Sequence, residues 1–228
     1  MAFFEINCNN YCFIGLFCYI CTSNSKTKVM ALKDQLTKSD YISLEELARV
    51  SRKLRKDKNF KWELYFLFSL SSALRVGDVL STKWCDVVDK TGNVKPKFIK
   101  KEQKTGKTRV ISFSNKTSCR IAELYVELGR PNLESYMFTG KTGKAFSKQY
   151  INQELKRIRA KYKIDVENFS THSFRKSYAR AIWEINGKSD TALLFLTDEL
   201  NHSSVMSTAI YLGVKRDVGS EIITYIDL

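Results

Sequence analysis

Two arginines, a lysine-rich turn, two histidines and a late tyrosine stand out by type and spacing. The chain has only two histidines, His172 and His202. Arg175 follows the first by three residues, and Tyr211 follows the second by nine. Another arginine, Arg75, sits upstream in Leu74-Arg75-Val76-Gly77-Asp78. Between the two arginines runs Gln103-Lys104-Thr105-Gly106-Lys107-Thr108-Arg109. Guanidinium forks match the oxygens of a phosphate and stay charged. A lysine can protonate a leaving oxygen, an imidazole can take a proton, and a phenol can act as nucleophile. Such a set suits phosphoryl chemistry that calls for no metal. His172 and Arg175, three apart at a helix start, would share a face beside first-turn amides that favour an anion.

Composition narrows the partner. The 228 residues carry a formal charge of +14, with 38 Lys+Arg against 24 Asp+Glu. A balance this basic points to a polyanion, nucleic acid ahead of an anionic membrane. The length fits one domain, or one domain with an extension, and hydrophobic content of 43% is ample for its core. No apolar run is long enough to span a membrane. Four of the six cysteines, Cys8, Cys12, Cys18 and Cys21, fall near the start. Their loops are short and irregular for zinc, so reduced thiols are expected, with no metal and no cofactor. This leader lacks a basic n-region and carries Glu5, which does not suit a signal peptide.

The elements that must position these residues are mostly helical. Ser43 and Glu46 have capping-box spacing before Leu47, Val50 and Leu54 on one face. Lys61–Leu74 reads as a buried central helix, with Arg75 directly after it. Gly77 reads as a break, and Val79-Leu80 opens a short helix with Asp78 in its first turn. Asp86–Asp89, Lys97–Lys101 and Thr108–Phe113 read as three antiparallel strands, with Lys104–Lys107 at the tip joining the last two. Helices follow at Ser118–Leu128, after Ser147, at Ser173–Ile185, Asp190–Leu200 and Ser204–Leu212. The class is α+β, mainly helical, with one small sheet.

Three segments together resemble the catalytic domain of the tyrosine recombinases, the phage integrase family. They are Ala73–Leu80, Gln103–Arg109, and Thr171–Arg175 with Leu200–Ser204 and Tyr211–Val214. Order, identity and the nine-residue step from His202 to Tyr211 agree with the family over about residues 40–214. The resemblance implies the DNA breaking-rejoining fold with a small three-stranded antiparallel sheet. It implies a site-specific recombinase or integrase that acts through a 3′-phosphotyrosyl intermediate without metal or ATP. Tyr211 would be the nucleophile, and Arg75 and Arg175 would hold the phosphate. Lys104 would be the general acid, with Lys107 its rival. His172 would take the tyrosine proton, and His202 would hydrogen-bond the phosphate. Double-stranded DNA is the implied partner, gripped by a homodimer or tetramer of a cytoplasmic protein of bacterial or phage origin.

Within that resemblance, residues 1–29 read as a leader or arm and 30–214 as the catalytic domain. Residues 215–228 read as a tail exchanged between protomers. Lys107, Lys141, Lys144, Lys148, Gln149, Arg52 and Arg55 are candidate DNA contacts. The residues before Ser43 are too few for the family's core-binding domain, which leaves grip to an accessory DNA-binding protein or to the leader. Asn201 stands where many relatives have glycine. Taken singly, each residue also fits a structural role: Arg75 as ion-pair partner of Asp78, Lys104 as a solvated turn lysine, Tyr211 as a core aromatic. A nicking-resealing enzyme of the type IB topoisomerase kind and a non-catalytic DNA-binding relic are the competing readings.

Overall fold

A computed structural model describes residues 39–140 and 142–214. The proposed leader 1–29, the tail 215–228 and Lys141 lie outside the described residues, as do the four early cysteines.

Ser43 accepts the Glu46 N–H at 3.1 Å and starts α1, Leu44–Lys56, which buries Leu47, Val50 and Leu54. Helix α2, Phe60–Ser72, is apolar on nearly every face and runs through the core. Its rings pack edge-on: Phe66 lies 4.8 Å from Phe174, Tyr65 5.3 Å from Phe138, and Phe68 5.9 Å from Phe98. Glu63 is the one carboxylate buried on α2, and Arg55 and Arg120 both pair with it.

Helix α2 ends at Ala73, which adopts a left-handed conformation at φ 49° and is fully buried. Such a conformation is uncommon for a residue with a Cβ, and it turns the chain sharply. Arg75 then caps α3, Val76–Leu80. Gly77 therefore sits inside a helix rather than breaking one. A Cβ there would stand 3.0 Å from Gln103 Oε1 and 3.5 Å from Lys148 Cε, so close approach explains the glycine.

The sheet differs from expectation. Among the described residues only β1, Phe98–Lys101, and β2, Thr108–Ile111, form strands, paired antiparallel with Lys101 opposite Thr108. The third strand expected at Asp86–Asp89 is instead a helical turn, α4, Trp84–Val87, followed by one bridge from Val88 to Val94. Asp86 accepts the Lys83 N–H at 2.9 Å, and Trp84 and Val87, three apart, bury one common face. Local capping and that spacing override the strand propensity of Val87-Val88.

Helices α5, Asn115–Glu127, and α6, Lys148–Tyr162, complete the larger core. Then come α7, Thr171–Ile185, α8, Asp190–Glu199, and α9, Val205–Leu212. These last three enclose a second, smaller cluster of Ala179, Trp183, Ala192, Leu193, Leu196, Leu200 and Leu212. No helix among the described residues is long and apolar enough to cross a membrane.

Candidate active site

The site forms where two left-handed turns deliver main-chain oxygens to arginine. Ala73 closes α2 at φ 49°, and Asn201 follows α8 at φ 50°. The carbonyl of Ala73 accepts from Arg175 Nη1, and the carbonyl of Leu200 accepts from Arg175 Nη2 at 2.5 Å. Arg75 Nη2 donates to the same Leu200 carbonyl at 3.4 Å. The two guanidiniums expected to bind phosphate thus converge on one backbone atom, though 100 residues separate them in sequence. Arg175 is buried, and burial together with the charge of Arg75 pushes it down to about 10. It still carries its charge at neutral pH.

Helix α7 starts where Ser170 accepts the His172 N–H at 3.2 Å, while Ser170 N–H donates to Ser173 Oγ at 3.0 Å. Asn152 of α6 accepts the Thr171 N–H at 3.3 Å and pins that start to the neighbouring helix. This cap sets His172 and Arg175 on one face. Burial, then the charges of Arg175, Lys176, Arg75 and Lys104, hold His172 below its ordinary range. His202 is pushed down to about 4 by burial and by Arg175 and Arg75. Both imidazoles are neutral at pH 7. His202 Nδ1 lies 3.0 Å from the buried Thr208 hydroxyl, which is 2.8 Å from Thr197 Oγ1.

Tyr211 lies on α9 with its ring edge-on to His202, centroids 5.1 Å apart, and Lys176 Nζ stands 5.2 Å from the ring. Its hydroxyl is buried without a hydrogen-bond partner. Burial pushes it up to about 12, against the pull of Arg175 and Arg75. An unpartnered buried hydroxyl is costly.

Lys104 is exposed on the β1–β2 turn, and its charge reaches both imidazoles. Lys107 borders a pocket with Arg109, Asp198, Glu199 and Asn201 instead. Lys144, Lys148, Gln149 and Arg52 are exposed. Lys148 approaches Gly77, as does the Gln103 side chain beside the lysine turn. Arg55 is tied to Glu63, Nε to Oε1 at 2.9 Å, which gives it a structural partner. Asp78 does not pair with Arg75; it accepts the Gln103 N–H at 2.8 Å and so anchors the lysine turn to α3.

Two participants were missed by sequence reasoning. Glu102 is buried and pairs with Arg75 at 2.5 Å. Arg109 is also buried, pairs with Glu199, and lies 4.0 Å from Glu102. In sequence, Glu102 sits in a lysine-rich stretch and looks like a solvated charge.

This mainly helical fold with a small hairpin is that of the tyrosine recombinase catalytic domains. XerH recombinase in a post-cleavage complex on its palindromic substrate matches with a TM-score of 0.63 and 19% identity, over 94% of this chain and 65% of that one. XerA recombinase matches at 0.60 and 19% identity, over 79% of this chain and 64% of that one. Lambda integrase residues 75–356 bound to DNA match at 0.54 and 15% identity, over 74% and 59%. The chain thus spans about six-tenths of the length of these structures. No curated protein matches. The phage integrase family model matches residues 35–217, and the chain belongs to that family.

Proposed function

We propose that this chain is a site-specific DNA recombinase that cuts and rejoins DNA through Tyr211. The observation that carries the reading is the meeting of Arg75 and Arg175 at the Leu200 carbonyl beside a buried, unpartnered Tyr211 hydroxyl. The guanidiniums hold the non-bridging oxygens of the scissile phosphate and stabilise the charge that builds in the pentacoordinate transition state. The Tyr211 oxygen bonds to phosphorus as the bond to the 5′-oxygen breaks. The phenol proton passes to His172, which burial and nearby cations keep neutral and able to accept it. Lys104 protonates the departing 5′-oxygen. His202 hydrogen-bonds the phosphate. The phosphotyrosyl ester conserves the energy of the broken bond, so a second 5′-hydroxyl can complete exchange without ATP.

DNA is the partner the net charge of +14 supports, with Lys107, Lys141, Lys144, Lys148, Gln149 and Arg52 as phosphate contacts. Arg55 is a weaker candidate, since Glu63 already holds it. Assembly as a dimer on DNA is consistent with the lambda integrase dimer bound to a core site, at 16% identity and a TM-score of 0.56.

The test is a randomised library of duplexes, each nicked beside a central phosphate so that cleavage traps the enzyme. A covalent protein–DNA adduct is expected, lost in Tyr211→Phe. If the purified chain binds the library yet forms no adduct, it is a non-catalytic DNA-binding protein. An adduct without strand exchange between two duplexes identifies a nicking-resealing enzyme instead.

A further inference from the structure

Glu102 occupies an unusual position for a carboxylate. It lies in Lys100-Lys101-Glu102-Gln103-Lys104, yet its side chain is 0% exposed, against 19% for Arg75. Three groups converge on its Oε2: Arg75 Nη1 at 2.5 Å, the Thr105 hydroxyl at 2.8 Å and Asn201 Nδ2 at 3.0 Å. Its Oε1 accepts no hydrogen bond but faces Arg175 Nη1 at 3.8 Å and Arg109 Nη1 at 4.0 Å. Burial pushes this carboxyl up, but the Thr105 hydroxyl, Arg75, Arg175 and Asn201 outweigh it, and the net shift is downward. The group is an anion on the floor of the site, beneath Arg75.

Its partners belong to three different parts of the proposed machinery. Arg75 is the phosphate ligand at the end of α2. Thr105 belongs to the turn that presents Lys104, and that turn closes on Glu102 itself through Glu102 N–H to Lys107 O at 2.9 Å and Gly106 N–H to Glu102 O at 2.9 Å. Asn201 immediately precedes His202. Its left-handed conformation is one asparagine tolerates well, and glycine equally. Unlike glycine, asparagine adds an amide that reaches Glu102. Without the carboxylate, three guanidiniums would share a buried space, and among the described residues Glu199 pairs with Arg109 alone of the three.

We infer that Glu102 is a positioning residue for the proposed strand cleavage, locking Arg75, the Lys104 turn and the Asn201-His202 turn into one geometry, with Asn201 as its partner. It touches neither DNA nor the reacting atoms. It acts by fixing one Nη of Arg75 so that the rest of the fork faces the incoming phosphate, and by fixing where Lys104 stands relative to it. Because misplacement of catalytic groups by about 1 Å can slow a reaction roughly 100-fold, a shift of this anchor should register in the chemical step.

The inference rests on the recombinase reading, and single-turnover adduct formation on a nicked duplex separates the two. In Glu102→Gln the rate constant at saturating DNA should fall roughly 10- to 100-fold. The DNA concentration giving half-maximal rate should stay the same or fall, since a negative charge is lost. Glu102→Asp should recover part of the rate. A purely structural defect would instead lower the amplitude, the fraction of active molecules, and leave the rate constant unchanged. Asn201→Gly keeps the backbone conformation and removes only the amide, so it serves where Glu102→Gln does not fold; a roughly threefold slower rate constant at full amplitude is expected. A wild-type rate constant in Asn201→Gly together with one in a folded Glu102→Gln overturns the inference and leaves the recombinase reading intact. A wild-type chain that forms no adduct on any duplex overturns both.

Discussion

Arg75 and Tyr211 are rooted in different parts of the protein. Arg75 stands just past α2, whose Trp62, Tyr65, Phe66 and Phe68 fill the larger core together with Phe98, Phe138 and Phe174. Tyr211 stands on α9, an eight-residue helix packed on the small cluster of α7, α8 and α9. Leu194, Phe195 and Met206 of that half remain exposed, so its apolar surface is only partly used. Many interlocking rings fix the half that carries Arg75, while Tyr211, the proposed nucleophile, sits on a short helix with few buried neighbours. Local opening is drawn from the least-buried parts of a protein. On the recombinase reading, the phenol that attacks phosphorus is therefore carried by the half most able to release it, while Arg75 and Arg175 stand beside the rings of the larger core.

That contrast can be broken by mutation. Phe174 lies between Tyr65, Phe66 and Phe169, and Phe174→Ala should cost about 3–5 kcal/mol, read as a lower denaturant midpoint for the whole domain. Leu196 is buried in the small cluster, and Leu196→Ala should cost about 2–3 kcal/mol. Its signature should be local: faster hydrogen exchange at residues 192–212, with amides of α2 unchanged at low denaturant. Equal acceleration in both regions would mean that the two clusters open as one and the distinction is void.

Acid should act on the small half as well. His202 titrates at about 4 when folded, against an ordinary value of 6.5. As pH falls below the ordinary value, the unfolded chain takes up this proton first, so stability present above it is lost on the way down towards 4. Between pH 7 and 5 this amounts to at most about 2 kcal/mol. Glu46, Asp57 and Glu102, all held below their ordinary values, change stability in the same direction at lower pH. His202→Asn isolates the share of His202 from that of His172, which is also held below its ordinary range: the variant's melting temperature should vary less between pH 7 and 5 than that of wild type. The smallest effect belongs to the cap of α9. Ser204 accepts the Ser207 N–H at 3.1 Å, and Ser204→Ala should loosen the Tyr211 helix by about 1 kcal/mol, measurable as exchange at residues 207–211.

Helix caps and apolar spacing were legible in the chain. Ser43, Ser147 and Ser204 start helices as expected, and Leu47, Val50 and Leu54 bury the expected face. The arginines, histidines and tyrosine were legible as a set because their order along the chain is itself a pattern. Glu102 was not, because nothing local distinguishes a buried carboxylate in a lysine-rich stretch from a solvated one. Its burial comes from arginines 27 and 73 residues away in sequence, brought together only by the fold. Asp86–Asp89 reads as strand for the opposite reason: a local cap from Asp86 outweighs side-chain propensity and makes Trp84–Val87 a helical turn.

Arg175 is aimed by the carbonyls of residues 73 and 200, and the side chains at those positions could be exchanged without removing either oxygen. The aim is a property of the chain's path, set by one alanine and one asparagine bent the uncommon way. Anyone grafting this proposed catalytic set onto another scaffold would need to copy those two bends before copying any side chain.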